Sequence, residues 1–142
     1  MLFNNLNNTF YEREASLGGL AVHILIAETD LMFLAEIRLA LEEAGYRVTT
    51  SVDGMEAWTG LVSARPLDLL VTRFDLGLGK PPGTALGMYA RSCDPPIPVI
   101  YIPASLARAE YANSEHGAVL VKPFSPTDLV QTANRLLGKV PA

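Results

Sequence analysis

The sequence predicts an α/β fold of the doubly wound (βα)5 kind, a five-stranded parallel sheet between two layers of helices. Three observations carry this. Short strand-like apolar runs alternate five times with stretches of helical periodicity. The first run, Val22 to Ala27, is β-branched and aliphatic without polar alternation, as a strand buried on both faces should be. Glycine, proline and capping residues punctuate the junctions.

The elements follow in order. After the first strand, Leu31, Leu34, Ile37, Leu41 and Ala44 recur at helical spacing up to Gly45, which stands where a helix-ending glycine belongs. Tyr46 to Ser51 is the second strand. Met55, Trp58, Leu61 and Val62 mark the second helix, which Pro66 stops. Asp68 to Phe74 is the third strand, and a turn-rich stretch from Gly77 to Gly83 leads to a third helix carrying Leu86, Met88 and Tyr89. Pro98 to Ile102 is the fourth strand. The fourth helix, Ser105 to about Glu115, has only Leu106, Ala109 and Ala112 for an apolar face. Val119 to Val121 is the fifth strand. Ser125, Pro126, Thr127 and Asp128 then supply an N-cap, a proline in the first turn and an acid reaching back, so a fifth helix should run to about Leu137. Right-handed crossovers would gather functional residues at the carboxyl ends of the strands. Those ends carry Glu28, Thr29 and Asp30, then Arg73, then Pro103 and Ala104, then Lys122 and Pro123.

Composition narrows the function. The 142 residues amount to about one domain. Residues 1–20 read as a flexible N-terminal extension and 21–142 as the domain proper, because Asn4, Asn5, Asn7 and Asn8 crowd a segment without apolar periodicity that Gly18 and Gly19 close. Thr9 and Glu12 have capping-box spacing, so a short helix through Ser16 is the alternative there. The longest apolar stretch, Leu17 to Ala27, is interrupted by His23 and falls short of the ~18 residues a membrane span needs. No secretory signal pattern opens the chain, and the cytoplasm is the expected compartment. A net charge of −4 disfavours a nucleic-acid surface. Cys93 is the only cysteine, which excludes an internal disulfide and a multi-cysteine zinc site. His23 and His116 lack acidic companions at ligand spacing and read as structural or surface residues.

The segments ILIAETD, SVDGMEAW, DLLVTR, PIPVIYIPAS and VKPFSPTDL stand in the order and spacing of a known family. Over about residues 22–137 the chain resembles the receiver (CheY-like) domains of bacterial two-component response regulators, a flavodoxin-like fold. The most specific pieces are Asp53, Gly54, Glu56 and Ala57 at the second junction, and Lys122, Pro123 and Phe124 at the last. The resemblance implies a phosphorelay module in which an aspartate ending the third strand accepts a phosphoryl group. Two acids after the first strand would hold Mg²⁺, and a hydroxyl residue after the fourth strand and a lysine after the fifth would contact the phosphoryl oxygens. It also implies a histidine kinase or downstream regulator as partner, a contact or homodimer surface at the fourth helix, fifth strand and fifth helix, and a Lys122–Pro123 peptide that is often cis and aims the lysine.

This chain departs from that pattern at most of the chemical positions. Arg73 stands at the phosphoacceptor, Thr29 at the second acid, Pro103 at the hydroxyl position, and Val119 where an aromatic is often found; Glu28 and Lys122 retain the expected chemistry. A guanidinium stays protonated and offers no carboxylate oxygen to attack phosphorus. A dication ~4 Å from it would be repelled by on the order of 8 kcal/mol at an effective dielectric of ~20. Glu28, Arg73 and Lys122 together carry about +1, where three carboxylates and a lysine would carry about −2. Mg²⁺ binding is therefore expected to be lost, with no metal or other cofactor in its place. Arg73 is expected to cross the strand ends and pair with Glu28, bidentately if geometry allows.

Three functions follow. The first is a non-enzymatic, stand-alone atypical receiver that acts by protein binding without phosphorylation. The second is a working phosphoreceiver that uses Asp75, two residues beyond Arg73 and on the same face if the strand continues. The third is a flavodoxin-like small-molecule binder, although ETD stands where a glycine-rich phosphate loop would be. Asp30 is expected to cap the first helix in preference to binding metal.

Overall fold

A computed structural model describes residues 21–63, 66–104 and 117–139. The predicted extension at 1–20, the predicted helix at 105–115 and His116 lie outside the described residues.

Five parallel strands form one sheet in the order β2-β1-β3-β4-β5. They are β1 (His23–Ala27), β2 (Arg47–Ser51), β3 (Leu69–Arg73), β4 (Val99–Ile102) and β5 (Gly117–Val119). The described helices are α1 (Leu31–Glu43), α2 (Gly54–Val62), α3 (Gly83–Ser92) and α4 (Pro126–Leu136). This is the doubly wound five-stranded sheet expected from the alternating periodicities.

The alternation of side chains along the central strands builds two cores, one per face. Ile24, Ile26, Leu69, Val71, Ile100 and Ile102 pack with Leu34, Ile37 and Leu41 of α1 and Leu129 and Ala133 of α4. On the other face Leu25, Ala27, Leu70, Val99 and Tyr101 pack with Ala57 and Leu61 of α2 and Leu86 and Ala90 of α3. With β1 wholly buried, the absence of polar alternation in its sequence is explained.

Local chemistry sets the helix ends. Asp30 caps α1, its carboxylate accepting from the Phe33 N–H at 3.2 Å, and Asp53 caps α2 through the Glu56 N–H at 2.8 Å. Gly45, at φ 100°, lets the chain turn out of α1. Ser125 and Asp128 form a complete capping box on α4 with Pro126 in its first turn. Two X-Pro peptides, Asp94–Pro95 and Lys122–Pro123, are cis.

The first four strands are shorter than predicted by a residue at one or both ends, and two elements differ in kind. The fifth strand was expected over Val119 to Val121, but β5 pairs Gly117, Ala118 and Val119 with Val99, Ile100 and Tyr101. Gly117 is required there because a Cβ would overlap the Val99 carbonyl oxygen, so a residue with the sequence signature of a loop belongs to the sheet. The second correction is Gly83, which opens α3 instead of closing the turn before it.

That glycine also sets how close α3 lies to the sheet. A Cβ at Gly83 would overlap the Arg73 carbonyl oxygen, and one at Gly87, one turn on, would overlap the Tyr101 hydroxyl. The helix start therefore rests directly on the end of β3. Gly83→Ala must push backbone away from backbone and is expected to cost at least about 1–3 kcal/mol in urea unfolding, the usual range for overpacking.

Candidate functional site

The carboxyl ends of β1 and β3 and the turn after β5 converge on one carboxylate. Glu28 follows β1 and its side chain is 0% exposed, which is unusual for an acid and requires compensation. Its backbone N–H donates to the Ser51 carbonyl at 3.1 Å, extending the pairing of β1 with β2 and fixing where the side chain leaves the sheet.

Three groups answer the charge. The Asp30 N–H donates to Glu28 Oε2 at 2.9 Å, so the residue that caps α1 also holds the acid before it. Arg73, the last residue of β3, donates from Nη1 to the same oxygen at 3.2 Å and to Thr29 Oγ1 at 2.7 Å. Lys122 Nζ lies 3.6 Å from Glu28 Oε1, near enough for attraction but beyond hydrogen-bond reach, and Oε1 has no hydrogen bond. Arg73 thus contacts the carboxylate through one nitrogen, not through the bidentate fork. Oε2 accepts from both Asp30 and Arg73, Oε1 faces the lysine, and the same Nη1 also reaches Thr29.

The two cations are held differently. Arg73 is 28% exposed and lies against Glu28 and Thr29 at the strand ends. Lys122 is 34% exposed and stands over the Phe33 ring, 4.0 Å from its centroid, while Phe33 meets Phe124 edge-on at 5.5 Å. Sequence reasoning missed Phe33. It sits one position before Leu34 on α1, half-buried at the edge of the core, and only its closeness to the VKPF turn reveals what it does.

A cavity of about 290 Å³ opens beside these groups, lined by Arg73, Phe74, Asp75, Ile102, Pro103, Ala104 and Lys122. Pro103 is buried and gives this wall no hydroxyl. Asp75 is exposed, and its Oδ1 accepts from the Gly77 N–H at 3.2 Å. Because β3 ends at Arg73, strand alternation does not extend to Asp75.

The loop between β3 and α3 is tied to the start of α2. The Gly54 N–H donates to the Leu76 carbonyl at 3.0 Å, and Lys80 Nζ lies 3.6 Å from Asp53 Oδ2. The Glu56 N–H, with Lys80 and the Met55 N–H also contributing, holds the Asp53 carboxyl below the usual carboxylate range. His23 and Cys93 lie apart from this site. His23 is buried, with Nε2 at 2.7 Å from Thr49 Oγ1 and Nδ1 at 3.1 Å from the Pro66 carbonyl, and the Cys93 thiol donates to the Tyr89 carbonyl.

The donor set does not fit Mg²⁺. That ion requires near-octahedral oxygen ligation at ~2.0–2.1 Å. Among the described residues the only buried carboxylate faces two cations, and Thr29 Oγ1 accepts from one of them. Removing the guanidinium should expose how much the acid relies on it. Arg73→Met is expected to cost about 2 kcal/mol in urea unfolding, the scale of a hydrogen bond to a charged group. Adding Glu28→Gln should recover part of that loss, because the remaining group is then neutral.

No family model matches the chain. It is 33% identical over 117 residues to the response regulator receiver protein CpdR of Brucella abortus (strain 2308), covering 80% of this chain and 95% of that protein. It is 32% identical over 125 residues to the transcriptional regulatory protein PrrA of Mycobacterium tuberculosis (strain ATCC 25618 / H37Rv), of whose length it spans about half (52%) and which matches 86% of this chain. Among solved structures, a response regulator receiver protein from Sinorhizobium medicae WSM419 superposes with a TM-score of 0.75 at 31% identity, over 83% of this chain and 95% of that one. The chemotaxis response regulator CheY4 of Vibrio cholerae gives 0.69 at 22% identity, over 82% and 99%, a likeness of fold. With a relative above 30% identity matched along nearly its whole length and the five-stranded parallel sheet in place, the chain belongs to the receiver family of two-component response regulators.

Proposed function

We propose that this receiver domain signals by binding a partner protein without being phosphorylated, and that it does so without catalysis and without Mg²⁺. One observation carries the reading: the residue ending β3 is an arginine whose guanidinium is bonded to Glu28 Oε2 and Thr29 Oγ1. Phosphoryl transfer to a side chain needs an ionised carboxylate, a hard cation and donors for the developing charge. Of these, a lysine beside a buried acid remains, and an internal cation stands against the metal. A permanent charge cannot be added and removed as a phosphoryl group can, so the reading gives the domain one conformation in place of a phosphorylation-driven pair.

On this reading the partner is a kinase or downstream regulator of a two-component pathway. The surface around β5 and α4 is the face for it or for a second copy of the chain. Among the described residues no helix is long and apolar enough to cross a membrane, in keeping with a cytoplasmic place of action.

Asp75 is the alternative acceptor. It lines the same cavity as Lys122, but it stands beyond β3 in an exposed turn with Oδ1 on the Gly77 N–H. The two readings separate on incubation with acetyl phosphate and Mg²⁺ followed by intact-mass measurement. The expected result is an unmodified chain. A hydroxylamine-labile phosphoryl adduct that disappears in Asp75→Asn would instead establish Asp75 as acceptor and end the phosphorylation-independent reading.

A further inference from the structure

The cavity beside Glu28 is lined by two cations whose hydrogen-bonding capacity is mostly unused. Arg73 makes both of its hydrogen bonds through Nη1, so Nε and Nη2 have no protein acceptor among the described residues. Lys122 Nζ has an ion pair at 3.6 Å and a ring at 4.0 Å, with no hydrogen bond among the described residues. Asp75 lines the same space yet forms no ion pair with either cation; its contact is the Gly77 N–H.

Charge and shape select the ligand. Of the residues that line the cavity, Arg73 and Lys122 are cations and Asp75 is an anion, a sum of about +1 that a monoanion neutralises and a dianionic phosphate overshoots. A planar guanidinium edge matches a carboxylate with two parallel N–H···O bonds, and the lysine adds a point charge. Buried Pro103 supplies an apolar wall. A volume of about 290 Å³ is below the ~300–1,000 Å³ of sites that enclose drug-sized molecules, but it is ample for one acidic side chain.

The geometry points to a carboxylate receptor, in which a partner protein seats an aspartate or glutamate side chain between Arg73 and Lys122. This rests on the phosphorylation-independent reading and names the chemistry that the partner brings. The position that a carboxylate nucleophile would occupy in a phosphate-accepting receiver here receives a carboxylate from outside.

The test is an NMR titration of the whole ¹⁵N-labelled chain with N-acetyl-aspartate amide, with N-acetyl-asparagine amide and inorganic phosphate as the comparison probes. Saturable shifts of the Arg73 side-chain Nε–H are expected with the aspartate probe alone. The affinity should weaken about tenfold in Lys122→Met, the order expected for losing one charged contact, and strengthen in Asp75→Asn. Arg73→Met should abolish the saturable response; if that variant does not fold, the Lys122 and Asp75 variants decide. Equal binding of the asparagine probe, tighter binding of phosphate, no saturable response, or indifference to those two variants would overturn the proposal. Such a failure with an unmodified chain after acetyl phosphate leaves the phosphorylation-independent reading intact. A phosphoryl adduct would end that reading whatever the titration gives.

Discussion

The arrangement depends on how a carboxylate is kept charged where water does not reach it. Glu28 is fully buried at the end of β1, and removing an acid from water is unfavourable by several kcal/mol unless opposite charge and hydrogen bonds replace the solvent. The replacement comes from three parts of the chain, the α1 N-terminus through Asp30, β3 through Arg73 and the turn before α4 through Lys122, while the backbone bond from Glu28 to Ser51 fixes where the side chain leaves the sheet. Each group is delivered by an element that the two hydrophobic cores already fix in place. Packing therefore positions the charges, and the charges in turn restrain the strand ends.

Arg73 changes what such a pocket can respond to. A metal ion or a phosphoryl group comes and goes with its concentration, and the protein's state follows. A guanidinium belongs to the chain and stays charged throughout the physiological range. Its contacts to Glu28 and Thr29 are supported from below, since α3 begins with a glycine pressed on the Arg73 carbonyl. The neighbouring loop is held too, by Leu76 on Gly54 and Lys80 on Asp53. Phe33 and Phe124 give Lys122 an aromatic support on the other side. On the proposed reading, a pocket so tied presents a fixed surface in place of one that switches.

Much of the fold was legible because it rests on periodicity and on strong local chemistry. The apolar run of β1, the spacing of Leu34, Ile37 and Leu41, and the Ser125–Pro126–Asp128 cap each have one natural reading. β5 was displaced because Gly117 and Ala118 carry little hydrophobic signal, and their place in the sheet is set by Val99 packing against a glycine that only the assembled structure reveals. The same holds for Gly83, whose turn-like identity concealed a close approach of helix to strand. At the site, residue types could be assigned to strand ends, but contacts could not. Spacing on α1 does not say that Phe33 lies under Lys122, and nothing in the sequence says that Arg73 shares Glu28 Oε2 with the Asp30 N–H while Oε1 faces Lys122.

The most direct measurement is a crystal structure of the chain grown with Mg²⁺ and beryllofluoride. The account predicts Arg73 bonded to Glu28, with neither ion beside it. Density for a six-coordinate magnesium on Glu28 and a beryllofluoride on a neighbouring carboxylate, with the guanidinium turned out to solvent, would contradict it.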